Sequence, residues 1–248
     1  MRPLRGFALL HLLVNALILW LGYYWLGVGE SRTSTLVWST LVFIVFAALV
    51  CCAYGAALVY FRAEGNREAK TSWRIAFRNL LPLAAVAVVV AFLYWLLGQW
   101  SVYSARPAFR LASWLTLTLR TPVRPTAVAR IFNVIFWLVR WAALPVLLLP
   151  AVSAIAASGW KGFRYKGPLV PGWLYGIEVP LLLLCLIRLP LWLFYWVPAV
   201  DGFGMQAASF TVRVAAAYLI FGVSWLVLAF VTSDGKPRPT QSSTVDSP

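Results

Sequence analysis

Residues 131–158 read IFNVIFWLVRWAALPVLLLPAVSAIAAS, and residues 173–197 read WLYGIEVPLLLLCLIRLPLWLFYWV. Each run exceeds the roughly 20 apolar residues that a helix rising about 1.5 Å per residue needs to cross a hydrocarbon layer about 30 Å thick. Neither alternates apolar with polar positions, as a lipid-facing barrel strand would. Charge interrupts both: Arg140 lies deep in the first, Arg188 near the middle of the second, and Glu178 nearer its start.

Working outward, four further runs qualify, at 7–28, 35–61, 79–100 and 211–231. The chain of 248 residues is 62% hydrophobic and only 11% charged, with mean hydropathy +0.82. A water-soluble globule of that size cannot enclose so much apolar surface. The sequence therefore predicts an all-α, polytopic transmembrane bundle of about six spans, forming one domain over 1–232. The polar tail over 233–248 lacks apolar periodicity and reads as disordered. Arg2 and Arg5 precede the first run as they would in a secretory leader. That run is too long for an ordinary signal core, and no small-x-small site follows Gly27, Val28 and Gly29, so it reads as an uncleaved span.

Short loops keep Lys and Arg on the cytoplasmic side. Placing both termini inside puts Arg2, Arg5, Arg62, Arg67, Lys70, Arg74, Arg78, Lys161, Arg164, Lys166, Lys236 and Arg238 there. The smaller set, Arg32, Arg106, Arg110, Arg120, Arg124, Arg130 and Arg213, falls opposite. The expected location is a bacterial plasma membrane. Most of the opposing charge lies in 101–130, where residues 108–121 place Leu111, Ala112, Leu115 and Leu119 on one helical face and Arg110, Ser113, Thr116 and Arg120 towards the other. With Pro107, Pro122 and Pro125 bracketing it, this segment reads as an amphipathic helix in the headgroup plane. A short helix packed on the bundle's end, or a re-entrant hairpin, fits the same pattern. The basic stretch 61–78 is what topology alone requires, with contact to anionic headgroups a secondary consequence.

Intramembrane arginines are costly, about 2.5 to 3.5 kcal/mol at a span centre on insertion scales, and usually face the bundle interior, water or an opposite charge. Consecutive spans joined by a short loop are antiparallel neighbours, which brings the depth of Arg140 closer to Arg188 than to Glu178. Two such cations with one shallow acid recruit anions. Arg140 and Arg188, with Arg110 or Arg120 at the mouth, are the candidate site for the phosphate or carboxylate of a lipid. The structural alternative is that they bond carbonyls freed by Pro145, Pro150, Pro180 and Pro190, which should kink or unwind both spans. Small residues at Ala48, Cys52 and Ala56, at Cys51 and Gly55, and at Ala151, Ala154 and Ser158 mark close seams, within the chain or in a homo-oligomer.

Catalytic chemistry is sparse. The single histidine, His11, has no second ligand at metal spacing. Of seven acidic residues, only Glu178 and Asp201 lie in or at the mouth of the spans, and Asp201 precedes Gly202 as turn residues do. No phosphate loop, zincin motif or nucleophile elbow occurs. Neither a cofactor nor a metal is expected. The net charge of +14 is dispersed over two faces and suits no nucleic-acid partner. The expectation is a non-enzymatic membrane module that binds anionic lipid or a partner membrane protein. A small transporter or permease subunit is the first alternative, and a lipid-modifying enzyme using Glu178 or Asp201 is the second.

Overall fold

The computed structural model describes residues 2–29, 32–62, 68–165, 167, 172–199 and 201–234. It is all-α, and six segments are long and apolar enough to cross a membrane: Leu4–Leu26, Thr33–Arg62, Leu80–Tyr103, Pro125–Arg164, Trp173–Tyr195 and Phe203–Ser233. They are referred to below as spans 1 to 6. The fourth and sixth begin earlier than their apolar runs suggest, at Pro125 and Phe203, because a helix continues through polar turns once its backbone hydrogen bonds are in register. The proposed tail falls outside the described residues from 235 onward, as do Glu30, Glu64, Arg67, Lys166, Lys236 and Arg238.

The spans pair as three hairpins. Helices α1 (Arg2–Leu26) and α2 (Thr33–Arg62) form the first, pinned near their connection by Trp25 Nε1 donating to Ser39 Oγ at 3.0 Å and Trp38 Nε1 donating to Tyr24 Oη at 3.0 Å. The start of α1, the end of α2 and the last turns of span 6 meet at the opposite pole, the terminus end. There Phe7 stacks on Tyr60, with centroids 4.0 Å apart, and Phe61 meets the edge of Phe230. The main core lies at this terminus end, where Phe7, Ala57, Leu58, Val59, Leu83, Val86, Ile155, Ala156 and Ala229 join five spans. In α2, residues 55–59 are buried without a break, and a Cβ on Gly55 would come within 2.7 Å of Leu83 Cδ1. The small-residue seam on α2 is thus used within the chain. Cys51 and Cys52 are free thiols in that packing.

Between α2 and span 3, within the basic stretch 61–78, lies a further helix, α3 (Ala69–Arg78). Ser72 and Ala76 are buried, while Lys70, Arg74 and Arg78 line the exposed side at intervals of four. Asn79 then joins α3 to α4 (Leu80–Tyr103) and donates from Nδ2 to the Ala156 carbonyl at 2.9 Å.

The second hairpin is the longest. Its first arm is α4 followed by α5 (Ala105–Leu119), and its second is α6 (Pro125–Leu138), a π turn (Val139–Ala143) and α7 (Leu144–Ser158). Contacts step steadily along it: Asn79 with Ala156, Tyr94 with Arg140, Trp100 with Phe136, Ala112 with Val128, and finally Val123 N donating to Thr116 Oγ1. The second arm alone, at about 1.5 Å per residue, is roughly 50 Å long, against a hydrocarbon thickness of about 30 Å. The amphipathic helix expected between spans 3 and 4 is therefore present as α5, docked along α6. Its buried face is Ala108 and Ala112, flanked by Leu115. Leu111 and Leu119 are exposed, so the apolar stripe read from the sequence is rotated from the face that packs.

After α7 a 3₁₀ segment (Gly159–Arg164) turns back under the bundle. Gly159 has φ +61° and lies so close to Asn79 Oδ1 that a Cβ would approach to 2.7 Å. The third hairpin comprises α8 (Trp173–Leu183), a second π turn (Leu184–Arg188) and α9 (Leu189–Tyr195), returning as α10 (Phe203–Asp234). Val146, Tyr175, Val179 and Leu228 bind it to α7.

Candidate functional site

Both intramembrane arginines lie in the two π turns, and each turn is followed by Leu-Pro. In span 4 the Leu144 N–H donates to Val139 O, five residues back. The Arg140 carbonyl would take its α-helical bond from Leu144 or its π-helical bond from residue 145, which is proline and has no N–H. Its donor comes from another span: Tyr94 Oη donates to Arg140 O at 2.9 Å. The same arithmetic applies in span 5, where Leu189 N–H donates to Leu184 O and Pro190 has no N–H, leaving the Cys185 carbonyl without a helical donor. Pro150 and Pro180 stay inside α7 and α8 without a π turn.

The guanidinium of Arg140 lies over two rings, 5.8 Å from the Tyr94 centroid and 5.4 Å from that of Trp141. Tyr94 thus serves Arg140 twice, by its hydroxyl on the carbonyl and by its ring under the cation. Arg188 has no such arrangement. It lines a cleft of about 270 Å³ between spans 4 and 5, whose walls include Trp137, Trp141, Leu184, Ile187 and Leu191. Trp141 is common to both arginines: its ring lies by the Arg140 guanidinium, and it lines the cleft together with Arg188. Pro180 contributes to the same lining. Among the described residues Arg188 is the only charged one in this lining.

Heights along the bundle follow from helical rise. Tyr94, level with Arg140, is roughly 21 Å beyond Leu80, and Arg188 is roughly 22 Å beyond Trp173. Both helices start at the terminus end, so the π turns sit at similar height, past the middle of a layer about 30 Å thick. Intramembrane arginines usually face the bundle interior, water or an opposite charge. Arg140 and Arg188 both lie on the exposed side of their helices, as does Glu178. Interior positions at this height are taken by Leu186 and Pro190, which are buried. Their side chains carry no desolvation cost against α10, whereas a guanidinium there would need partners.

The other expected site residues are dispersed. Arg110 is exposed on α5. Arg120 ends α5 in the left-handed conformation, φ 53° and ψ 25°, at the hairpin tip. From Trp137 to that tip is roughly 20 Å along α6, and neither Arg110 nor Arg120 is among the residues lining the cleft. Glu178 stands only five residues past Trp173, on an outward face outside the cleft lining. Asp201 is exposed just before α10, and Arg213, the arginine of α10, is engaged elsewhere. Arg213 Nη1 donates to Leu193 O at 3.3 Å and to Trp196 O, capping the carbonyl end of α9.

Sequence reasoning missed Tyr94, Trp137 and Trp141 because aromatic residues abound in every span and none is individually marked. It also took His11 for an isolated residue. The imidazole is fully buried, stacked towards Phe7 and edge-on to Tyr54. Among the described residues no cluster of His, Cys, Asp or Glu could hold a metal ion.

Fold and cleft define the class: an all-α bundle with six helices able to span a membrane and one cation at the rim of an apolar cleft. No family model, curated protein or solved structure matches the chain.

Proposed function

We propose that this chain is a non-enzymatic integral membrane protein that holds an anionic amphiphile in the cleft between spans 4 and 5. The Arg188 guanidinium receives the phosphate or carboxylate, and Trp137, Trp141, Leu184 and Leu191 receive the hydrocarbon. The observation that carries this reading is an exposed arginine at the rim of an otherwise apolar cleft, more than halfway through a span. At such depth a bare guanidinium costs about 2.5 to 3.5 kcal/mol, and an anionic oxygen in bidentate contact offsets that cost. Apolar walls with one polar group are the usual lining of a small-molecule site. Arg140 supports the site indirectly, holding Trp141 through its ring while Tyr94 holds Arg140.

The exposed basic ridge of α3 and the exposed Lys161 and Arg164 support a cytoplasmic terminus end under the positive-inside rule. The cleft then opens in the outer leaflet of a plasma membrane. Two π turns at matching height also favour a transporter-like reading, since such turns act as hinges in broken helices.

Native mass spectrometry of protein released in mild detergent tests the lipid reading. Wild type should retain phosphatidylglycerol, and Arg188→Gln should lose it at least tenfold. Equal retention by both would remove Arg188 from headgroup binding.

A further inference from the structure

A second groove lies on the other side of the bundle, between α1, α2 and α10, with a volume of about 600 Å³. It falls within the roughly 300 to 1,000 Å³ typical of small-molecule sites. Asn15, Tyr54, Gly22, Phe46, Trp25 and Phe221 are among its walls, and among the described residues no Lys, Arg, His, Asp or Glu lines it. The groove follows one face of α1 from Asn15 to Leu26, a rise of roughly 16 Å. Asn15 itself is roughly 16 Å from Leu4, close to the middle of the hydrocarbon.

That position makes Asn15 unusual. It is 2% exposed, and its carboxamide is held in a fixed orientation. Nδ2 donates one hydrogen to His11 O at 2.8 Å, and Oδ1 accepts from Tyr54 Oη at 2.9 Å. A carboxamide nitrogen carries two hydrogens, so one N–H has no acceptor among the described residues. The Tyr54 hydroxyl, having donated its proton, keeps acceptor capacity. Tyr54 is itself fixed by the edge of Trp225, centroids 4.7 Å apart, and by Phe221. The inner end of the groove therefore presents a preoriented donor and an acceptor at a depth where water is scarce and an unmet donor is costly.

Towards the outer end the groove is apolar and aromatic. Gly22 leaves it open: a Cβ there would stand 3.2 Å from a Phe46 ring carbon. An ordinary phospholipid places its headgroup at the interface and its chain ends at the midplane, so its polarity runs opposite to that of this groove. A charged ligand would lose its hydration with no counter-charge to meet it.

We infer that this groove binds an uncharged, single-chain lipid whose hydroxyl or carbonyl oxygen meets Asn15 and Tyr54 near the bilayer midplane, with its apolar body running past Gly22 and Phe46. The ligand class is that of a prenyl alcohol or a neutral lipid of similar shape. This site is separate from the Arg188 cleft and requires only that lipid surround the bundle.

The test uses geranylgeraniol, added to the full chain in mild detergent and followed by native mass spectrometry. Wild type should take up one molecule. Asn15→Leu, which keeps the volume and removes the donor, should weaken uptake at least tenfold. Gly22→Leu, which fills the groove without touching the polar pair, should do the same. Arg188→Gln should take up the alcohol like wild type while losing phosphatidylglycerol, which separates failure here from failure of the anionic cleft. Far-ultraviolet circular dichroism on each variant identifies any that does not fold, and Gly22→Leu carries the decision if Asn15→Leu is one of these. No uptake by wild type, or equal uptake by wild type and a folded Gly22→Leu, would overturn the inference.

Discussion

Span 4 and span 5 interrupt their α-helices in the same way, with a five-residue π turn followed by Leu-Pro, and each turn contains an arginine. In span 4 a third helix lies alongside, and its Tyr94 meets both the freed carbonyl and the cation of Arg140. In span 5 the outward side of the turn faces a cleft, and Arg188 lies at its rim with no ring beneath it. The same backbone break thus carries an exposed cation lying over two aromatic rings in one place and an exposed cation lining a cleft in the other. The neighbouring span decides which arginine has a ring beneath it and a donor for the freed carbonyl.

The contrast is broken most readily by the two charge removals. Arg188→Gln should reduce retained phosphatidylglycerol at least tenfold, or about 1.4 kcal/mol by the gas constant relation, whereas Arg140→Gln should change it less than threefold. If native mass spectrometry shows the two variants losing lipid alike, the distinction between them fails.

A smaller effect concerns the carbonyl. Tyr94→Phe keeps the ring under Arg140 and deletes only the hydroxyl, and should destabilise the protein by about 1 kcal/mol in reversible unfolding from detergent, within the range of hydrogen bonds between membrane helices. No change in unfolding midpoint would mean the carbonyl finds another donor.

Pro145→Ala sharpens that result. It supplies the missing N–H, so Tyr94→Phe made in that background should cost about 0.5 kcal/mol or less, a coupling visible in a double-mutant cycle. Full additivity would show that the hydroxyl and the proline act independently. Glu178→Gln should have the smallest effect, within about 0.5 kcal/mol, because the side chain is exposed and outside both grooves. A larger loss in the same unfolding assay would assign Glu178 a partner.

The span count was legible because lipid imposes a local rule, and 79–100 or 131–158 satisfies it without reference to any other residue. The kinking of spans 4 and 5 was legible for the same reason, since proline always removes a donor. Which prolines follow π turns was not. Pro150 and Pro180 remain within helices while Pro145 and Pro190 follow π turns, and no rule of sequence spacing separates the pairs. Helix α3 carried a readable signal in Lys70, Arg74 and Arg78 spaced by four, but the same charges satisfy the loop rule, which masked it. Arg213 looked like a topology charge because its partners are backbone carbonyls at Leu193 and Trp196, which no side-chain pattern reveals. Asn15 and Tyr54 meet across 39 positions of chain, each an unremarkable polar residue in its own span.

By itself the sequence determined that the chain has six helices able to cross a membrane, that two of them are broken by proline, and that each of those two carries an arginine. These are properties of backbone hydrogen bonding and transfer from water, which act within about 20 consecutive residues. Tertiary structure alone decided that Arg140 lies over Tyr94 and Trp141 while Arg188 lines a cleft, and that Asn15 opens onto a groove of its own. The availability of a side chain depends on the surface brought against it, and that surface comes from residues far away in the chain.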